Sequence, residues 1–360
     1  MKASQRRLNV RSSDRRPAVE ASPPNRDLTS QFAYGLGYLK RPEAVEVDPV
    51  SLSLADLEAV RGQPLFPING VAEFGGVRDA APAGGARPKT TVRDEHGALW
   101  LAKFPATGDA FDVARAEACT LELARRCGLT VPELRYLRVG GKPVMLIRRF
   151  DRYWAPVGEL PAAGLALHES RPGTGRVEGR IPFASGLTLV ACSEFESRTK
   201  GYADLSAAIR KHVHPPSIKA ACQELFARMV FNIFASNDDD HLRNHGFVFD
   251  HRQGGWALSP LDDVVPRPGF AYERMLHLQV GDEGKLATLD NALSRFAAFT
   301  AARADAVELV RRVWSEVRQW KTTFEAFGAD AKLLAQMASV FRELEDIASP
   351  ELVAEIRNAR

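Results

Sequence analysis

Apolar and polar positions follow one rhythm in the first half of the chain and another in the second. "TTVRDEHGALWLAKF" predicts a β-hairpin, with its turn at Asp94–Gly97 and Trp100, Leu101 and Phe104 in the second strand. In "FDVARAEACTLELARRCGL" the apolar residues Val113, Ala116, Leu121, Ala124 and Cys127 recur at helical spacing, and Gly128 ends the helix. "LRYLRVGGKPVMLIRRFD" predicts a second hairpin around Gly140–Gly141. Residues 155–180, rich in Pro and Gly, read as an extended loop.

Beyond that loop the period is helical. "IKAACQELFARMVFNIFAS" predicts a long apolar helix. "TLDNALSRFAAFT", "ADAVELVRRVWSEVRQWKTTFEAFG" and "DAKLLAQMASVFRELEDIA" carry Leu, Val, Phe and Trp stripes of further helices. A short hairpin, "GFVFDHRQGGWALSPLDD", interrupts them. The pattern gives an α+β chain: a small β-rich lobe at 83–154 and a large, all-helical lobe at 155–360. Ahead of them, 1–30 reads as a disordered basic arm and 31–82 as a remnant of an N-terminal subdomain.

Composition adds limits. The chain has 360 residues, enough for two or three lobes, and its 45% hydrophobic and 26% charged residues are ordinary for a globular protein. A net charge of +3 does not demand nucleic acid as a partner, and no reading helix is recognisable. The basic excess is local: Lys2, Arg6, Arg7, Arg11, Arg15 and Arg16 lie in the arm, as a solvated tail or a phosphate-binding one. Cys119, Cys127, Cys192 and Cys222 lack pairing or zinc-like spacing and read as small buried hydrophobes. Neither a membrane helix nor a secretory signal is legible, so a cytoplasmic location is expected.

The polar run "NDDDHLRNH", Asn237–His245, is what composition cannot explain. A surface turn needs one or two such residues, and three consecutive aspartates repel one another unless cations offset them. Chemistry-bearing residues fall in a fixed order around it. Lys103 ends a strand, Glu117 follows on a helix, four residues separate Asp239 from Asn244, and Asp263 lies beyond a hairpin. Phosphoryl transfer calls for these types: a lysine for phosphate charge, a helix Glu to orient it, and Asp and Asn oxygens for magnesium. Asp239 fits the group that meets the acceptor hydroxyl, with Asn244 and Asp263 as metal ligands. His241 reads as packing beneath the loop and bonding its backbone, or else as a metal ligand or base. Arg243 either balances the acids or is a plain surface charge.

A family resemblance rests on "GGARPK", "LWLAKFP", "AEACTLELARRCGLTVPE", "IRRFDR", "NDDDHLRNHGF" and "LSPLDDVVP". In combination these resemble the kinase core of HipA-type toxin kinases, from about Gly84 to the C-terminus. The resemblance implies a bilobal protein-kinase-like fold and an ATP- and Mg²⁺-dependent serine/threonine kinase. It also implies a DNA-binding antitoxin as partner and a protein substrate of translation, typically an aminoacyl-tRNA synthetase. By the same resemblance Lys103 contacts ATP phosphates and Asp239 is the catalytic Asp. Lys89 and the Gly84–Gly85 backbone approach the phosphates, and Arg148, Arg149 and Phe150 form the hinge at the adenine.

Two departures from the family pattern stand out. Ala81 and Pro82 occupy places where the family often has an autophosphorylated serine. "FGGVRDAAP" runs directly into "AGGARPK", which makes the N-terminal region look shortened. Besides a kinase acting on a protein, the residues allow a module that binds nucleotide or antitoxin without transfer, or a small-molecule kinase.

Overall fold

The computed structural model describes residues 87–358, apart from 95, 140, 160–171 and 270–273, and three short strands before them. Those strands are β1 (Leu52–Ser53), β2 (Phe66–Ile68) and β3 (Val71–Glu73). The basic arm, Ala81, Pro82 and the Gly84–Gly85 pair lie outside the described residues.

The first lobe is built on β4 (Lys89–Arg93), β5 (Leu99–Lys103), β6 (Leu134–Val139) and β7 (Lys142–Arg148). With β1 they form a five-stranded sheet in the order β1-β4-β5-β7-β6, antiparallel except for the β1–β4 pair. Asp94 closes the β4–β5 turn by accepting from the Ala98 amide and from Trp100 Nε1, each at 2.9 Å. Gly97 takes φ +85° there, a conformation that costs glycine little.

The period-2 alternation gives the sheet two distinct faces. Val92, Trp100, Ala102, Val144 and Leu146 pack together on one. Lys89, Leu101, Lys103, Met145 and Ile147 share the other, as the cross-strand register requires.

Against that second face lies α1 (Val113–Arg126). Asp112 caps it by accepting from the Arg115 amide at 3.0 Å, and Gly128, at φ +82°, ends it. Its buried positions mix small residues (Ala114, Ala116, Ala118 and Ala124) with Leu121, Leu123 and the charged Glu117.

A two-stranded ribbon, β8 (Arg152–Pro156) with β9 (Arg176–Arg180), leads into the second lobe. The stretch expected to be one extended loop at 155–180 is therefore bounded by paired strands. The second lobe is also not wholly helical. β10 (Phe183–Ser185), β11 (Gly246–Asp250) and β12 (Gly255–Leu258) form a three-stranded antiparallel sheet within it. The α+β, two-part class holds; the "all-helical" reading missed β10, three residues too short to show a period.

The helices are α2 (Gly186–Val190), α3 (Glu194–Ser197), α4 (Tyr202–His212), α5 (Ile218–Phe234) and α6 (Leu289–Ser294). After them come α7 (Arg303–Val317), α8 (Trp320–Ala326), α9 (Ala331–Met337), α10 (Leu344–Ile347) and α11 (Pro350–Asn358). From Leu225 to Phe234 every residue of α5 is buried, so this helix is the axis of the lobe. It packs on α4, α6 and α7 and delivers the acidic run at its C-terminal end. Cys119, Cys127 and Cys222 are buried and Cys192 half-buried, all as free thiols. Among the described residues no helix is long and apolar enough to cross a membrane.

Candidate active site

β5 ends at Lys103, whose side chain leaves the sheet on the α1 side and is only 7% exposed. Its Nζ is ion-paired with Glu117 of α1, itself 2% exposed. The same Nζ lies 3.2 Å from the Asp262 carbonyl and 3.4 Å from Asp263 Oδ1. Burial pulls the pKa of Lys103 down, but Asp263, Glu117 and Asp262 outweigh it and raise the pKa above the ordinary lysine value. Burial likewise works against charge on Asp263, and Lys103 and Lys89 outweigh it, holding the carboxyl below its usual range.

Lys89 is the cross-strand partner of Lys103. Burial, then Lys103, lowers its pKa. Asp262, next to Asp263, is pushed up to about 6, chiefly by burial. Lys103 and Glu117 are thus buried together, and half-buried Lys89, Asp262 and Asp263 surround them, Asp263 coming from 160 residues further along the chain than Lys103.

The Asp262–Asp263 segment is anchored from behind. The Leu261 amide donates to Thr130 O at 2.8 Å, and buried Arg228 of α5 donates to Ser259 O at 2.6 Å.

The acidic run follows α5 directly, through Ser236 at φ 50°. Its three aspartates have three different fates. Asp240 is fully buried. Its Oδ2 accepts from Tyr202 Oη at 2.5 Å and Asn232 Nδ2 at 2.7 Å, and His245 Nε2 lies 2.9 Å away. Burial opposes its charge, but His245 and Tyr202 keep its pKa below the ordinary value.

Asp239, with its side chain 55% exposed, points outward. Its carbonyl accepts from Asn244 Nδ2 at 3.1 Å and from the His241 amide at 2.9 Å, which fixes the main chain. Its carboxylate meets Arg267 Nη2 at 3.0 Å, while Arg267 Nε reaches Asp238 Oδ1 at 2.8 Å. The run is therefore offset by the Arg267 guanidinium outside and by the buried hydrogen bonds of Tyr202, Asn232 and His245 to Asp240 within.

Arg243 does not balance these acids; it pairs with Glu194 of α3. His241 is half-buried and meets the edge of His277, with ring centroids 5.8 Å apart. The imidazole beneath the loop is His245. Below the loop, Gly186 donates its amide to His245 O at 2.6 Å, and a Cβ there would come within 2.7 Å of Leu242 O. Only a glycine lets α2 approach so closely.

Lys103, Glu117 and Asp263 are thus in direct contact, and Asp239 and Asn244 share the loop that α5 presents. Arg148, Arg149 and Phe150 sit at and just beyond the end of β7. The Arg148 side chain lies on the Trp100 face, opposite Lys103, and pairs with Glu133 at 3.4 Å, so only its main chain can serve the Lys103 side. Arg149 is held by Asp151, and Phe150 packs with Ile181 and Val248. A cleft of about 660 Å³ lies on the Trp100 side, lined by Asp94, Trp100, Arg135, Arg148 and Trp154. Neither Lys103 nor Asp239 borders it.

Sequence reasoning missed Arg267, Tyr202, Asn232 and His245. The triple aspartate was the available signal, since it called for nearby cations. Nothing in the spacing said where those cations would come from.

A model of the HipA-like C-terminal domain family matches residues 81–322. Among solved structures, the chain resembles one from the HipA, HipB and operator DNA complex of the Shewanella oneidensis MR-1 toxin–antitoxin system. That likeness has a TM-score of 0.57 at 14% identity, over 82% of this chain and 70% of that one, and it shows the fold. The proinflammatory kinase CtkA of Helicobacter pylori is also similar, at 14% identity, over 77% of this chain and 91% of that one. Its TM-score of 0.48 is too low to argue from. No curated protein matches the sequence.

Proposed function

The chain belongs to the HipA-like C-terminal domain family, and on that premise we propose that it is an ATP- and Mg²⁺-dependent protein serine/threonine kinase. The observation that carries this reading is the buried Lys103–Glu117 pair facing Asp263, beside a loop that offers Asp239 to solvent. A strand lysine held by a helix carboxylate is the arrangement that positions phosphates in kinases.

The donor set suits magnesium. Among the described residues no three His, Cys, Asp or Glu side chains converge into a closed metal site. An ion held by Asp263 and Asn244 would complete its shell with water and phosphate oxygens, as magnesium prefers. When bound, it would neutralise charge on the transferred phosphoryl group.

The chain's own residues do the rest. Glu117 keeps Lys103 extended toward the phosphates, and Lys103 supplies fixed positive charge from a buried position. Asp239 accepts the proton of the acceptor hydroxyl as the oxygen attacks. The hinge at Arg148–Phe150 meets the adenine through main-chain groups, since its side chains are engaged elsewhere. Lys89 lies on the Lys103 face, in reach of the same phosphates.

The acceptor in this reading is a protein of the translation apparatus, with an aminoacyl-tRNA synthetase the first to try. A DNA-binding antitoxin is the partner, by analogy with HipB in the Shewanella complex.

The test has two arms. Mg²⁺-ATP at about a hundred times its dissociation constant should raise stability by roughly 2.7 kcal/mol, and Asp263→Asn should remove that gain. Transfer of labelled γ-phosphate to a protein acceptor should fall by about 10²-fold or more in Asp239→Asn. Binding without transfer in the wild-type chain would leave a nucleotide-binding module, and undiminished transfer by Asp239→Asn would exclude Asp239 as the base.

A further inference from the structure

Asp239 is fixed at its main chain, but its side chain projects into solvent with a single donor from the described residues, Arg267. We propose that Arg267 is a positioning residue for phosphoryl transfer: it pins Oδ2 of Asp239 and leaves Oδ1 free to meet the acceptor hydroxyl. This role rests on the kinase reading above and sharpens it.

Three features fit Arg267 for the task. It is four residues beyond Asp263, on the same segment that carries the metal-side carboxylate. Pro266 and Pro268 flank it, and two prolines restrict both their own φ angles and the conformation of the residue between them. Pro266 and Val264 are buried, so the stiff segment is rooted in the lobe.

The outer side of the segment is held as well. Arg274 donates to Arg267 O at 3.2 Å, to Gly269 O at 2.6 Å and to Ser339 O at 2.8 Å. The guanidinium is therefore presented from a braced backbone.

Its geometry is that of a fork. Nε takes Asp238 and Nη2 takes Asp239, so one side chain sets the spacing of two carboxylates that would otherwise repel each other. A free carboxylate more than half exposed would sample several rotamers, each aiming its oxygens differently. Holding one oxygen removes that freedom before the acceptor arrives. The contact is exposed, so it adds little to folding stability. It can therefore be removed without unfolding the lobe.

The experiment compares wild type, Arg267→Ala and Arg267→Lys for Mg²⁺-ATP binding by calorimetry and for transfer to the protein acceptor. Arg267→Ala should bind Mg²⁺-ATP as wild type does, with KM for ATP unchanged, while kcat falls about 10–100-fold. Arg267→Lys keeps the charge but not the fork and should fall between the two. Added guanidinium at low millimolar concentration should recover part of the kcat of Arg267→Ala and do nothing for Asp239→Asn.

A kcat for Arg267→Ala equal to wild type overturns the role. A higher kcat overturns it too, by making the contact a brake. A wild-type chain that neither binds Mg²⁺-ATP nor transfers phosphate removes the kinase reading, and this role falls with it.

Discussion

The pocket around Lys103 and the loop around Asp239 are both dense in charge, yet they are built oppositely. At Lys103 the lysine and Glu117 form a buried pair inside the fold, with half-buried Asp263 on the open side. At Asp239 the charges face solvent and are met by one exposed arginine. Under the proposed kinase activity, the difference suits two halves of a transfer reaction. A phosphate clamp gains from a low dielectric and fixed geometry, whereas a group that must admit a protein's hydroxyl has to stay open. Asp240 shows how the open half is kept rigid: it carries the loop's weight from below, inside a buried network.

The largest effect should come from breaking the buried pair. Lys103→Met leaves the buried Glu117 uncompensated and should cost about 3–5 kcal/mol of unfolding free energy in urea. Pairing it with Glu117→Gln should cost less than the sum of the single changes. Full additivity would mean that the two side chains are not energetically linked.

Next comes a test inside the acidic run itself. Asp240→Ala strands Tyr202, Asn232 and His245, and should destabilise by about 2–3 kcal/mol. Asp239→Asn, one residue away, should change stability by less than about 0.5 kcal/mol. Equal losses would contradict the division into anchor and working group.

The smallest effect concerns an intermediate case at the junction of the lobes. Burial opposes charge on Asp151, but Arg149 and Arg152 overrule it and depress its pKa. A depressed carboxylate contributes stability that is present above its unfolded value and lost as pH falls through the folded one. Wild type should therefore lose stability below about pH 4 more steeply than Asp151→Asn does, as followed by thermal midpoints. Parallel profiles would show that the Asp151 ion pairs contribute nothing to acid stability.

Much of the fold was legible because local pattern and tertiary environment agree. The hairpins announce themselves at Asp94–Gly97 and Gly140–Gly141, and Gly128 marks the end of α1. In α5 the near-continuous apolar run required a helix buried on all sides. β10 left no such trace: "FAS" is a strand only because β11 lies beside it. The split of the long helical pattern at Arg318–Gln319 was equally silent, since both pieces keep their apolar faces.

The sequence by itself determined which residue types were present and in what order: Lys103, Glu117, Asp239, Asn244, Asp263. It also determined that the acidic run needed compensation, because like charges in series cannot stand alone. Only the tertiary structure decided how each charge is met. Burial and partner choice depend on residues far apart in the chain, so identical neighbours diverge: Asp240 goes to His245 and Tyr202, Asp239 to Arg267. Arg243, the nearest cation in sequence, goes to neither, because chain proximity does not set side-chain direction once a loop is pinned from beneath.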